Sequence, residues 1–330
     1  MRLLPRRRPT REPLIRAEDI LLSKRITWRI DEPFTIFECD EFLKPEYFKA
    51  LAAAYPWSSL RMKLADDNLR GRIDQQEHEE EFWALVGSNP VWHSFVAAIC
   101  SHKFRADAAA LFRRGLTDRA RRGARLERWY YRLLPSFMLE TKVDITAYRR
   151  GFYLGPHTDV AKKFLAILLY FNDESMSQHD ASSSAVGTGF WRERTAGRAE
   201  QWYLTLTGSA VASAMDASLK GPRLDRRFRE SDAPVGDLSA YETDFERFYV
   251  TSGRSNSMAG FVKSRTSWHD VDLRDFPEGL LRGAILVNVN LRSFSPRSVW
   301  RAFAGKKRGA RRRRVGARGP SGRGSRRSGS

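Results

Sequence analysis

Two residues in the segment YRRGFYLGPHTDVAKKFLAILLYFN, residues 148–172, have the types and spacing to hold a metal: His157 and Asp159. In an extended strand alternate side chains share a face, so this imidazole and this carboxylate project together. Such a pair is two-thirds of a facial two-histidine, one-carboxylate site, whose open positions suit non-haem Fe(II). An HxD pair by itself is a weak signal, because a strand-end histidine beside a turn-capping aspartate looks the same. The flanking residues strengthen it. Gly151 and Gly155-Pro156 permit close backbone approach, and the following FLAILLYF is apolar on both faces, as a central covered strand must be. A polar pair leading into a buried strand needs partners there.

The candidate for a second imidazole is His269, in SRTSWHDVDL, at a strand end beyond a turn. The other histidines read differently. His78, in QQEHEEEFW, lacks the HExxH spacing that stacks two imidazoles one turn apart, and reads as part of a solvated helix face. His93 and His102 read as ordinary helix residues. His179 falls in a Ser-rich loop, residues 173–189, which would fix ligand geometry poorly. Beyond His269, Arg282 opens the strand LLRGAILVNVNL and shares its inward face with Ala284 and Leu286. A buried guanidinium requires an anion, and a dicarboxylate cosubstrate would supply a bidentate partner. Arg274 competes for that role.

The elements that must position these residues can be traced along the chain. PFTIFECDEFL, from residue 33, reads as a short strand, and Lys44-Pro45-Glu46 opens a helix with the stripe Phe48, Leu51, Ala52 and Tyr55. Residues 58–88 are polar and charged. Asn89-Pro90 caps a helix expected to run to about Leu116. The arginine-rich stretch from Arg113 to Arg132 is interleaved with Trp129, Tyr130 and Tyr131; a nucleic-acid surface and a solvated connector both fit it. Strands are expected over residues 136–148, from Gly189, at FERFYV and at MAGFVKS, with residues 195–245 forming an insertion or lid.

At 330 residues the chain can bury a substantial core. Its net charge of +19 is concentrated: Arg301 to Ser330 holds 12 Lys or Arg and no acid, leaving +7 for the rest. This polybasic tail has a disordered composition and would bind phosphate backbones or acidic surfaces. Two cysteines, Cys39 and Cys100, offer neither a disulfide framework nor a CxxC knuckle, which suits a reducing compartment. MRLLPRRRPTREPL has no apolar signal core, and no run of about 18 apolar residues exists to span a membrane. Cytoplasmic residence is the expectation.

Taken in order, Tyr148 through Asp159, Tyr170-Phe171-Asn172, GTGFWR, SWHDV and Arg282 resemble the 2-oxoglutarate/Fe(II)-dependent oxygenases, in particular their prolyl 4-hydroxylase-like branch. The likeness extends to PFTIFECDEFLKPEYFKALAAAYP and is strongest over residues 136–294. It implies a mainly β fold with flanking helices (α+β), a double-stranded β-helix or jelly roll. The expected organisation is a basic extension at 1–30, an oxygenase domain at 31–300 and a tail at 301–330. Within the domain, residues 40–132 would be helical and 133–294 the jelly-roll core. The resemblance makes His157, Asp159 and His269 the Fe(II) ligands. It makes Arg282 the anchor of 2-oxoglutarate, with Tyr170 and Tyr148 as hydrogen-bonding partners, dioxygen as co-reactant and ascorbate as a reductant. The implied reaction hydroxylates a peptidyl residue such as proline, or a small molecule or sugar intermediate, while 2-oxoglutarate becomes succinate and CO2. The competing reading is a nucleic-acid- or ribosome-associated protein recruited by its tail, with a non-catalytic metal-binding barrel.

Overall fold

Apolar runs become strands and apolar i, i+3, i+4 stripes become helices over the residues that the computed structural model describes, 14–64, 69–122, 136–159, 163–172, 187–197 and 243–292. These residues all fall within one compact unit that ends at Arg292. Its strands are β1 (Trp28–Ile30), β2 (Ile36–Cys39), β3 (Arg70–Asp74), β4 (Leu139–Tyr148), β5 (Tyr153–His157), β6 (Lys163–Asn172), β7 (Gly189–Glu193), β8 (Phe245–Val250), β9 (Met258–Val262), β10 (Trp268–Asp272) and β11 (Arg282–Leu291). Its helices are α1 (Leu22–Arg25), α2 (Pro45–Ala53), α3 (Trp57–Met62), α4 (Glu79–Ser88), α5 (Pro90–Ile99), α6 (His102–Leu111) and α7 (Arg113–Arg122).

The strands pair antiparallel in two sheets, ordered β1-β2-β9-β6-β11-β4-β3 and β5-β10-β7-β8. The apolar run at 164–171 lies within β6, between β9 and β11, which is why both its faces can be hydrophobic. Alternation then sorts the larger sheet. Leu165, Ile167, Leu169 and Phe171 join Val143, Ile145, Ile285 and Val287 in the core shared with the helices, where Leu51, Phe82, Trp92, Phe95 and Phe104 are buried. The opposite face carries Tyr148, Tyr170 and Ala284, which pack with Val271 and Leu273 from the β10 side. Phe190 of β7 meets Phe261 of β9 edge to face, with ring centroids 5.5 Å apart, closing the two sheets on each other. The protein is thus a helix layer on a large antiparallel sheet, with a smaller sheet on the other side.

Several expectations need correction. The single helix expected from residue 89 to about 116 is three: α5 ends at Ile99, and Ser101 caps α6 by accepting the Phe104 amide at 3.1 Å. The polar segment 58–88 includes most of α3, β3 and α4, so the segment 40–132 is not purely helical. The basic extension at 1–30 contributes Ile15, Ile20 and Leu22 to the core, and β1 pairs with β2. His179, Trp129, Tyr130, Tyr131, most of the 195–245 insertion and the 301–330 tail lie outside the described residues. Among the described residues no helix is long and apolar enough to cross a membrane.

The helix layer grips the large sheet through an aromatic clamp. Tyr55 stacks on Phe171 at 4.9 Å and its hydroxyl donates to the Thr146 carbonyl at 2.7 Å, with the Ala284 carbonyl at 3.2 Å. Gly283 of β11 lies beneath it. A Cβ there would meet the Phe171 carbonyl oxygen at 2.6 Å and Trp57 Cη2 at 2.7 Å. Gly283→Ala is therefore expected to destabilise the fold by about 1–3 kcal/mol in urea unfolding. Gly87→Ala in α4, where a Cβ meets nothing within 4 Å, should stabilise it by about 0.5–1 kcal/mol.

Candidate active site

Strand pairing brings the two histidines together. His157 is the last residue of β5 and His269 the second of β10, and the register sets them directly opposite each other. Their ring centroids are 4.2 Å apart, and Phe261 of the large sheet walls the His269 ring at 4.3 Å. Each imidazole is oriented by the carbonyl two residues before it: His157 Nδ1 lies 2.9 Å from the Gly155 oxygen, and His269 Nδ1 lies 3.1 Å from the Ser267 oxygen. A carbonyl only accepts, so Nδ1 carries the proton in both rings and Nε2 presents a lone pair. This is how a protein prepares imidazole to ligate a metal. Burial pushes the His269 pKa down against the pull of Asp159.

Asp159 does not share the strand with His157, as the alternation of side chains led us to expect. The strand ends at His157, and Asp159 follows in the connection toward β6. Its carboxylate nevertheless turns toward the imidazoles, with Oδ2 3.9 Å from His269 Nε2. Donor atoms of His157, Asp159 and His269 all lie within 4.8 Å of one another. Burial alone would raise the Asp159 carboxyl, but Lys163 above all, with His269 and His157, outweighs it and holds the group well below the usual carboxylate range. Oδ2 is buried and has no hydrogen-bond partner among the described residues. A buried carboxylate oxygen left in that state costs about 1–3 kcal/mol or more. A cation between Oδ2 and the two Nε2 atoms removes that cost, so the three residues fit a metal.

Arg282 presents the matching problem with the opposite sign. It opens β11 in register with Tyr148 on one side and Asn172 on the other, and it is 1% exposed. Its guanidinium lies 5.0 Å from the Tyr170 ring centroid and 5.8 Å from that of Tyr148. None of its three nitrogens has a hydrogen-bond partner among the described residues. Aromatic faces offset part of its desolvation, but a buried guanidinium still requires an anion. Arg274 is different: its Nε and Nη2 meet Asp272 at 3.0 and 2.7 Å, and it stacks on Tyr153 at 4.5 Å. Its charge is already answered. The Tyr170 hydroxyl sits between Thr188 Oγ1 at 3.0 Å and Thr251 Oγ1 at 2.9 Å, which fixes its position.

Three of these contacts could not be read from sequence: only the folded register gives Lys163, Thr188 and Thr251 their partners. Gly189 has a packing role: a Cβ there would lie 2.0 Å from Oδ1 of Asp270, the buried acid next to His269 that pairs with Arg247. A second group of possible ligands, Asp74, Glu77 and His78, is explained without a metal. Asp74 Oδ1 accepts the amides of Gln76 and Glu77 at 2.7 and 2.9 Å, while Oδ2 meets His78 Nδ1 at 3.0 Å. It locks a turn.

Comparison with known proteins yields little beyond this geometry. No family model matches the chain, and no curated protein matches it either. Among solved structures it is similar to a prolyl-4-hydroxylase from Pseudomonas putida, at 13% identity and a TM-score of 0.36, covering 78% of this chain and 92% of that one. A likeness at this level bears on neither activity nor substrate.

If the three residues hold a divalent metal, cobalt(II) at a hundredfold excess over its dissociation constant should stabilise the protein by about 2.7 kcal/mol. In thermal melts, Asp159→Ala should lose most of that shift while His78→Ala keeps it.

Proposed function

We propose that the chain is a 2-oxoglutarate- and Fe(II)-dependent oxygenase built on a jelly-roll core, hydroxylating a substrate still to be identified. The observation that supports it is a pair of buried groups of opposite charge between the two sheets. One is the cluster of His157, His269 and Asp159, in which Asp159 Oδ2 has no hydrogen-bond partner among the described residues. The other is a buried arginine with no counter-ion among the described residues. Val271, two residues along β10 from His269, shares an apolar cluster with Tyr148, Tyr170 and Ala284, so both groups face the same inter-sheet space.

Each residue then has a task. His157, Asp159 and His269 bind Fe(II) on one face and leave the remaining positions to exogenous ligands. Arg282 takes the distal carboxylate of 2-oxoglutarate, an anion of the planar kind that a guanidinium binds in bidentate fashion. Tyr148 and Tyr170 wall the guanidinium with their ring faces; Tyr170 is held in place through Thr188 and Thr251. With Fe(II) bound, the site would supply oxidative decarboxylation: dioxygen and 2-oxoglutarate yield succinate and CO2, with the second oxygen atom delivered to a C–H bond of the substrate. The apolar packing around the site serves to exclude water.

The reading predicts that Arg282→Met keeps its metal but needs about 100-fold more 2-oxoglutarate for half-maximal succinate formation, because a charged pair in a buried site is lost. Arg274→Met should change that concentration by less than about threefold, as expected for a half-buried arginine with its own partner. Equal effects from the two substitutions would contradict the assignment.

A further inference from the structure

Lys163 is the first residue of β6 and reaches back four residues to Asp159. Its Nζ lies 2.6 Å from Oδ1, and both side chains are largely buried, at 16% and 13% exposure. The other oxygen, Oδ2, is the one near His269 Nε2. The two carboxylate oxygens are therefore inequivalent: one is committed to an ammonium, the other points to the imidazoles. The backbone that presents Lys163 belongs to the ladder with β11: Lys163 stands in register with Asn290, next to a register shift between Val289 and Asn290.

A carboxylate can give a cation one oxygen or two. On a six-coordinate ion with two imidazoles, one carboxylate oxygen leaves three positions, enough for a chelating 2-oxo acid and dioxygen. Two carboxylate oxygens leave only two, and the chelate fills both. We propose that Lys163 is a positioning residue that holds Asp159 monodentate toward the metal and so keeps open the coordination position the cosubstrate needs. The metal part of this inference rests on geometry alone; the cosubstrate part rests on the oxygenase reading.

The test uses the full chain as wild type, Lys163→Met and Lys163→Arg, first titrated with cobalt(II) alone and then, cobalt-loaded, with 2-oxoglutarate. Methionine keeps the length and apolar stem but removes the charge, while arginine keeps the ion pair. The expected result for Lys163→Met is cobalt affinity equal to or tighter than wild type, an altered cobalt visible spectrum, and 2-oxoglutarate affinity about tenfold weaker or more. Lys163→Arg should return both affinities and the spectrum toward wild type. A merely structural lysine would weaken both affinities together in Lys163→Met and leave the spectrum of the remaining complex unchanged, and that result overturns the proposal. So does a Lys163→Met protein indistinguishable from wild type. A wild type that binds cobalt but not 2-oxoglutarate would end the oxygenase reading instead. The role of Lys163 would then be decided by the cobalt spectrum: altered in Lys163→Met and restored in Lys163→Arg supports it, and unaltered in both overturns it.

Discussion

The antiparallel pairing of β5 with β10 is the constraint on which the rest depends. It sets His157 opposite His269, residues far apart in sequence, and turns both rings toward one point between the sheets. Everything else in the site is attached to that pair. The Gly155 and Ser267 carbonyls fix the tautomers, and Phe261 limits where the His269 ring can lie. Asp159, two residues beyond the end of β5, lies within reach of both imidazoles. Strands do this better than loops, because a ladder of backbone hydrogen bonds fixes each side chain's direction before any ligand arrives.

Two buried charges of opposite sign, Asp159 and Arg282, define what the space between the sheets is for. Asp159 is partly compensated by Lys163 and by the imidazoles, whereas the Arg282 guanidinium lies against the rings of Tyr148 and Tyr170 and has no hydrogen-bond partner among the described residues. Folding tolerates such a guanidinium because β11 is held on both sides, by β4 and β6, and because the helix layer clamps the outer face through Tyr55 and Phe171. The packing of the outer face offsets the cost of burying charge on the inner one, as is common where a site must be ready before its ligand binds.

Much of this was legible in the sequence where a single local rule governs. The continuous apolar run at 164–171 could only be a strand covered on both faces, and β6 is that strand. HTD and SWHDV contain the residues that the fold brings together, although HTD alone is a weak signal and only the ordered set of motifs points to them. What failed were features set by tertiary contacts. RGRID carries too many charges to look like a strand, yet β3 forms because Gly71 and Ile73 pack inward while the arginines line the other face. The break at Cys100 and Ser101 is a side-chain cap, invisible to apolar periodicity. Asp159 lay off its strand because strict alternation ends with the ladder, and Lys163 gained its role only when β6 was placed beside Asp159.

The measurement that tests the central claim most directly is an anaerobic optical titration of the iron-loaded protein with 2-oxoglutarate. A 2-oxo acid chelating Fe(II) through its carboxylate and keto oxygens gives a visible metal-to-ligand charge-transfer band, which a carboxylate bound elsewhere on the protein does not. The account predicts that the band appears with saturable dependence on 2-oxoglutarate and is absent when succinate replaces it. Folded protein that holds one Fe(II) and shows no such band at saturating 2-oxoglutarate would contradict it.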